Sequence, residues 1–95
     1  MSVLEIAYDL RAPGRDYQSL HAAIKVYGTW CHPLESTWLV ATETGNSVVR
    51  DALAKHIDRN DGLLVTTLTG EASWMGLSTE VTNWINQQLS RVARY

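Results

Sequence analysis

The stretch Val3-Leu4-Glu5-Ile6-Ala7-Tyr8-Asp9-Leu10 decides how the rest of the chain is interpreted. Alternate side chains of a β-strand point to opposite faces of its sheet. The two faces of this strand are Leu4, Ile6, Tyr8 and Leu10 on one side and Val3, Glu5, Ala7 and Asp9 on the other. The first set is wholly apolar, whereas the second carries two acids, of which Asp9 stands where the strand ends. We predict that the apolar face packs on the protein's own helices and that this strand is central in a sheet.

Three later segments have helical periodicity. The first follows Asp16, a predicted N-cap, and ends at Gly28, because glycine is common just after a helix C-terminus. The second is predicted to be capped by Asn46 or Ser47, and the third by Ser78. Each segment carries an apolar stripe at spacings of three and four residues. The stripes are Tyr17, Leu20, Ile24 and Tyr27; Val49, Ala52, Leu53, His56 and Ile57; and Val81, Trp84, Ile85 and Leu89.

Residues 29–32, 36–42 and 63–68 are typical of β-strands, and the short turn between the first two predicts an antiparallel hairpin. The start of the last strand is apolar, which predicts burial on both of its sides. The long strand at 36–42 is at least partly apolar on both faces, with Trp38 and Val40 on one and Leu39 and Ala41 on the other. Because a sheet with helices on one side needs only one apolar face, we expect something to cover the second face. This is the main argument from the residues for self-association.

The order of elements predicts an α+β protein with a ferredoxin-like βαββαβ antiparallel sheet and an additional C-terminal helix. The first and third strands are then central, and the second and fourth are edges. At 95 residues, residues 1–95 make a single domain with one hydrophobic core and no deep, enclosed pocket.

Composition excludes several classes of protein. The chain is 45% apolar, which excludes disorder, and its apolar runs are shorter than the roughly 20 residues that span a bilayer. No signal peptide is visible, and a single cysteine, Cys31, fits a reducing compartment. The formal net charge of −2 argues against nonspecific binding of long nucleic acids, which favours basic proteins. We expect a cytoplasmic protein without a membrane partner.

Asp9 is the carboxylate of greatest interest, and two interpretations of it stay open: a turn residue or a working acid. One aspartate is a poor magnesium site, because Mg²⁺ usually takes one or two carboxylates together with substrate oxygens and water. Two copies of Asp9 across a twofold axis would supply a pair that could hold the metal against a phosphodiester and activate water. Arg11 and Arg15 fit either phosphate contact or loop solubility.

The remaining reactive or aromatic residues are weaker candidates. His21 and His56 lie on helices without a second ligand at metal spacing, so structural or solvated roles are favoured. Cys31 and His32 cannot form a nucleophile pair, because adjacent strand residues point to opposite faces. The four tryptophans (Trp30, Trp38, Trp74 and Trp84) favour core or interface roles over base stacking.

Ala7-Tyr8-Asp9-Leu10 resembles the Tyr-Asp-hydrophobic signature of a small CRISPR-associated protein family called Cas-two. Gly28, Ser36-Thr37-Trp38 and Asn60-Asp61-Gly62-Leu63-Leu64-Val65 are similar to further positions of that family, in the same order over residues 3 to about 70. The middle of the chain looks like a divergent, stand-alone branch sometimes labelled SinR-like. The positions shared with that branch are Trp30, His32 and residues 36–40.

The resemblance implies a ferredoxin-like homodimer in which Asp9 of each subunit lies near the dimer axis. Asp9 would then be the catalytic residue and the Mg²⁺ ligand of a nuclease that cuts RNA or double-stranded DNA, with Arg11 and Arg15 as nucleic-acid contacts. Family members in CRISPR antiviral defence also serve as a dimeric centre for spacer integration. The alternative is therefore a catalytically inactive scaffold or protein-interaction module. The virulence-associated D toxins, ribonucleases of related fold, are a neighbouring alternative.

Overall fold

The computed structural model describes residues 2–11 and 17–92. Its elements, in chain order, are β1 (Ser2–Asp9), α1 (Gln18–Lys25), β2 (Thr29–Leu34), β3 (Thr37–Thr42), α2 (Asn46–Ala54), β4 (Gly62–Thr67) and α3 (Thr79–Val92). The strands form one antiparallel sheet in the order β2-β3-β1-β4. The chain is therefore an α+β protein in which β1 and β3 are central, as the order of elements predicted. Among the described residues, no helix combines the length and the apolar character needed to span a membrane.

The apolar face of β1 packs on α1 and α2. In the register of the sheet, Ile6 lies between Trp38 of β3 and Val65 of β4. Side chains of α1 and α2 cover this row from above. The buried cluster comprises Leu4, Ile6, Tyr8, Leu20, Ile24, Trp38, Val40, Val49 and Leu53. Most of the predicted stripe of each helix thus faces this layer, whereas Ala52 and His56 of the second stripe are not part of it.

The second face of the sheet is covered by α3 of the same chain. Ile85 and Leu89 of α3 pack against the opposite side of β1, β2 and β3. The buried cluster on this side comprises Val3, Cys31, Leu39, Ala41, Ile85 and Leu89. The expected cover therefore exists, but it comes from within the chain, so the apolar second face no longer requires a partner. The apolar interior forms two layers, one on each side of the sheet, rather than the one core expected.

The helix caps follow the sequence in part. Ser78 caps α3 as predicted, because its Oγ accepts a hydrogen bond from the backbone N of Val81 at 3.1 Å. For α2 the predicted cap is wrong: Gly45 is the N-cap, without a side-chain cap bond. The Asn46 side chain instead donates to Thr67 Oγ1 at 2.8 Å and so ties α2 to the end of β4. The predicted cap of α1, Asp16, lies outside the described residues.

Two strands differ from their predicted form. The second strand extends through Leu34 and includes part of the predicted turn, with irregular pairing between Cys31 and Leu34. The start of β4 is not buried on both sides, because Leu64 is 61% exposed. Leu64 pairs with Ala7 on the second face of the sheet. On that face, α3 covers β1 near Val3, at the start of the strand. This leaves an uncovered surface beside Asp9.

Candidate functional site at the end of β1

Asp9 is an exposed carboxylate at the end of the central strand. It pairs with Gly62 in the register with β4, on the part of the second face that α3 leaves open. Its side chain is 70% exposed. A shallow depression of about 330 Å³ adjoins it, lined by Ala7, Tyr8, Asp9, Gly62, Leu63 and Leu64. The site is therefore open and largely apolar, with one acid at its rim.

Arg11 is bound closely to Asp9. Its Nε and Nη2 donate to Oδ2 of Asp9 at 3.0 and 2.9 Å, and its Nη1 donates to the carbonyl of Asn60 at 3.0 Å. Arg11 is itself largely exposed, so the ion pair is screened by water and contributes little to stability. Its guanidinium nevertheless bridges the end of β1 and the turn before β4. The structure thus brings Asp9 and Arg11 together, whereas Arg15 lies outside the described residues.

Asp61 is a third member of the site, and the sequence did not indicate it as a site residue. Its Oδ1 accepts the backbone N–H of Arg11 at 2.6 Å. Its Oδ2 accepts the hydroxyl of Tyr17 at 2.7 Å and the backbone N–H of Asp58 at 2.8 Å. This carboxylate therefore holds the chain after β1, the start of α1 and the α2–β4 turn in one place. The signal that could have indicated Asp61 is the pairing of Asp9 with Gly62. This pairing brings Asp61 close to the end of β1.

One copy of the chain offers few metal ligands at this place. Within residues 2–11 and 17–92, no three His, Cys, Asp or Glu side chains are arranged to hold a metal ion. The donor set at Asp9 is one carboxylate, and one of its oxygens is bound to Arg11. Because Mg²⁺ prefers several oxygen ligands, a magnesium site here requires oxygens from a second copy, from substrate or from water.

Cys31 and His32 lie on opposite sides of the sheet, as expected. Cys31 is in the cluster under α3, and burial raises the pKa of its thiol to about 11. His32 instead stacks on Trp38 on the α1 side, with 3.9 Å between ring centroids. A protonated, buried thiol is a poor nucleophile, and His32 on the other side of the sheet does not pair with it.

The other aromatic residues divide into buried and exposed groups. Trp38 is buried and donates from Nε1 to the hydroxyl of Tyr8 at 2.9 Å, and that hydroxyl is also hydrogen-bonded to Nε2 of His21 at 3.2 Å. Trp74 and Trp84 are half-buried in the cluster under α3. These three tryptophans and His21 therefore have structural roles. Trp30 differs from them, because it is 37% exposed.

Comparison with known proteins found no match to this chain among protein-family models, curated proteins or solved structures.

Proposed function

We propose that the protein is a Cas-two-like, metal-dependent endonuclease that hydrolyses phosphodiester bonds of RNA or double-stranded DNA as a homodimer. The observation that carries the proposal is the position of Asp9. It is an exposed acid at the end of central strand β1, beside a part of the second face that α3 leaves uncovered. The strand order β2-β3-β1-β4 with two helices on one face supports the ferredoxin-like fold that this function implies.

In the proposed dimer, a twofold axis passes close to Asp9. The neighbouring apolar side chains of Ala7 and Leu64, which pair with each other across β1 and β4, would supply the contact between copies. Two Asp9 carboxylates would then share one metal site, which one copy alone does not complete. Mg²⁺ bound there would polarise the phosphodiester and lower the pKa of a bound water.

Arg11 would serve the same reaction from its place beside Asp9. Its guanidinium holds Oδ2 of Asp9 in a fixed orientation, and a guanidinium presents paired donors that match phosphate oxygens. We propose that substrate phosphate draws Arg11 away from Asp9 and so frees that carboxylate for the metal. Arg15 would add a second phosphate contact.

The direct test is cleavage of labelled RNA and duplex DNA with Mg²⁺ by the wild type and by Asp9→Asn. The chain offers a matched control in Asp51, which forms a salt bridge with Arg50 at 2.7 Å and is also 70% exposed. We expect Asp9→Asn to lose cleavage and Asp51→Asn to retain it. Equal activity in the wild type and Asp9→Asn, or no cleavage by the wild type, contradicts the nuclease proposal.

The second candidate is a catalytically inactive dimeric scaffold or protein-interaction module. The observation that favours it is the bridge from Asp9 through Arg11 to the carbonyl of Asn60, which gives Asp9 a structural role without chemistry. This candidate predicts a wild-type dimer that binds its partner without cleaving nucleic acid, and Asp9→Asn would leave that binding intact. Both candidates imply a cytoplasmic protein.

A further inference from the structure

Two aromatic rings of β2 remain accessible above a buried indole. His32 stacks on Trp38 with 3.9 Å between centroids and 13° between ring planes. Trp30 lies with its centroid 5.2 Å from that of Trp38 and is 37% exposed, whereas Trp38 is only 3% exposed. Trp38 is therefore the fixed support of a small aromatic surface at the sheet edge.

The imidazole of His32 is held in place but is not enclosed. Its Nε2 donates to the carbonyl of Glu35 at 3.0 Å, since a carbonyl can only accept a hydrogen bond. Trp38 covers one face of the ring, while His32 as a residue is exposed. Because Trp38 occupies one face of the ring and the residue is exposed, the face away from Trp38 is the one on which another planar ring would extend the stack.

A cation lies beside these rings. Lys25, the last residue of α1, is exposed and places its Nζ 5.1 Å from the centroid of Trp30 and 5.8 Å from that of Trp38. Cation–π attraction at such distances favours this position for the ammonium group. An apolar partner would make no use of Lys25, whereas a nucleotide carries both a planar base and an anionic phosphate.

We propose that His32, Trp30 and Lys25 form a binding site for single-stranded nucleic acid, in which a base stacks on His32 and a phosphate contacts Lys25. The site is on the α1 side of the sheet, because Cys31 between the two rings faces α3. It lies on the face opposite Asp9, so it does not depend on the proposed nuclease. Stacking rather than overall charge carries the binding, which is compatible with the net charge of −2.

The test is fluorescence anisotropy of labelled oligoadenylate with the full chain in EDTA, so that metal-dependent binding and cleavage do not contribute. His32→Asn removes the ring but keeps a side-chain donor, and Lys25→Gln removes the cation. The chain has only one other lysine, Lys55, and His56 follows it at the end of α2. Lys55→Gln and His56→Asn are therefore the matched controls.

We expect His32→Asn to weaken binding about tenfold, within the range found when one base–aromatic stack is lost. Lys25→Gln should lower the slope of log affinity against log salt by about 0.7, the value for one phosphate contact of a single strand. Both controls should bind like the wild type. Circular dichroism of each variant checks that the fold is retained.

Three results would overturn the stacking site. The first is no binding of oligoadenylate by the wild type, and the second is equal affinity of His32→Asn and His56→Asn. The third is equal binding of single strand, duplex of the same sequence and inorganic polyphosphate, because charge alone would then explain the affinity. Asp9→Asn should still bind the oligonucleotide, so loss of cleavage and loss of this site are distinguishable.

Discussion

The backbone N–H of Arg11 donates to Oδ1 of Asp61 at 2.6 Å, across fifty positions of sequence. This bond fixes the chain directly after β1 against the turn that leads into β4. The side chain of the same Arg11 binds Asp9. By holding the Arg11 backbone, Asp61 therefore also positions the guanidinium beside Asp9. The geometry of the candidate site thus depends on Asp61 as well as on Asp9 and Arg11.

Asp61→Asn should destabilise the protein by about 1–3 kcal/mol, the usual cost of leaving hydrogen-bonding groups unsatisfied. The substituted amide keeps one oxygen but places a donor against either Arg11 N–H or the donors of Tyr17 and Asp58. Urea denaturation gives the free energy of unfolding. Asp51→Asn is the control and should change that free energy by less than about 0.5 kcal/mol. Equal effects of the two substitutions would show that Asp61 does not organise the turn.

The ion pair between Asp9 and Arg11 should contribute little to stability, because both side chains are more than half exposed. A double-mutant cycle with Asp9→Ala and Arg11→Ala should give a coupling free energy of about 0–1 kcal/mol. Thermal or urea unfolding of the four proteins measures it. A coupling well above 1 kcal/mol would indicate that Asp9 is mainly structural, and it would favour the inactive module over the nuclease.

The buried face of β1 was predictable from its residues, because the alternation of Leu4, Ile6 and Tyr8 requires one buried face whatever the partner, and its central position followed from the order of elements. The stripes of the helices followed from the same periodicity. The cover of the second face was not predictable in this way. The apolar side of 36–42 indicated that a cover exists, but periodicity does not distinguish α3 of the same chain from a second copy.

The candidate site was predicted in part. The sequence indicated Asp9 at a strand end and Arg11 just after it, but their ion pair depends on the path of the loop. Asp61 is not predictable as a site residue, since Asp-Gly before a strand is explained by turn preference alone. Its hydrogen bonds to Arg11 and Tyr17 join distant segments, and such contacts follow from the strand register rather than from local pattern.

The stability of the protein should fall at alkaline pH because of Cys31. Burial raises the pKa of its thiol from 9.0 to about 11, so the unfolded chain loses this proton at a lower pH than the folded chain. The free energy of unfolding should therefore decrease between pH 9 and 11, by at most about 2–3 kcal/mol from this group. Urea denaturation across this range measures the decrease.

Cys31→Ala is the control for that titration, because tyrosines and lysines also lose protons at high pH. The variant should show a shallower decrease than the wild type above pH 9. In addition, the wild-type thiol should react with a disulfide reagent much more slowly in the folded than in the unfolded protein. Identical pH profiles for the two proteins would show that the pKa of the thiol does not differ between the folded and unfolded chain.

Leu64→Glu should prevent formation of the proposed dimer without unfolding the protein. Leu64 is 61% exposed on edge strand β4, beside Asp9, and a carboxylate there would be buried unpaired between two copies. Sedimentation velocity should show a wild-type dimer and a variant whose dimerisation is at least about tenfold weaker, equal to about 1.4 kcal/mol. Val48→Glu on α2 is the matched control, since Val48 is 59% exposed, and it should leave the dimer intact. If the wild type sediments as a monomer at all concentrations, both proposed functions lose their shared basis, because each of them requires a dimer.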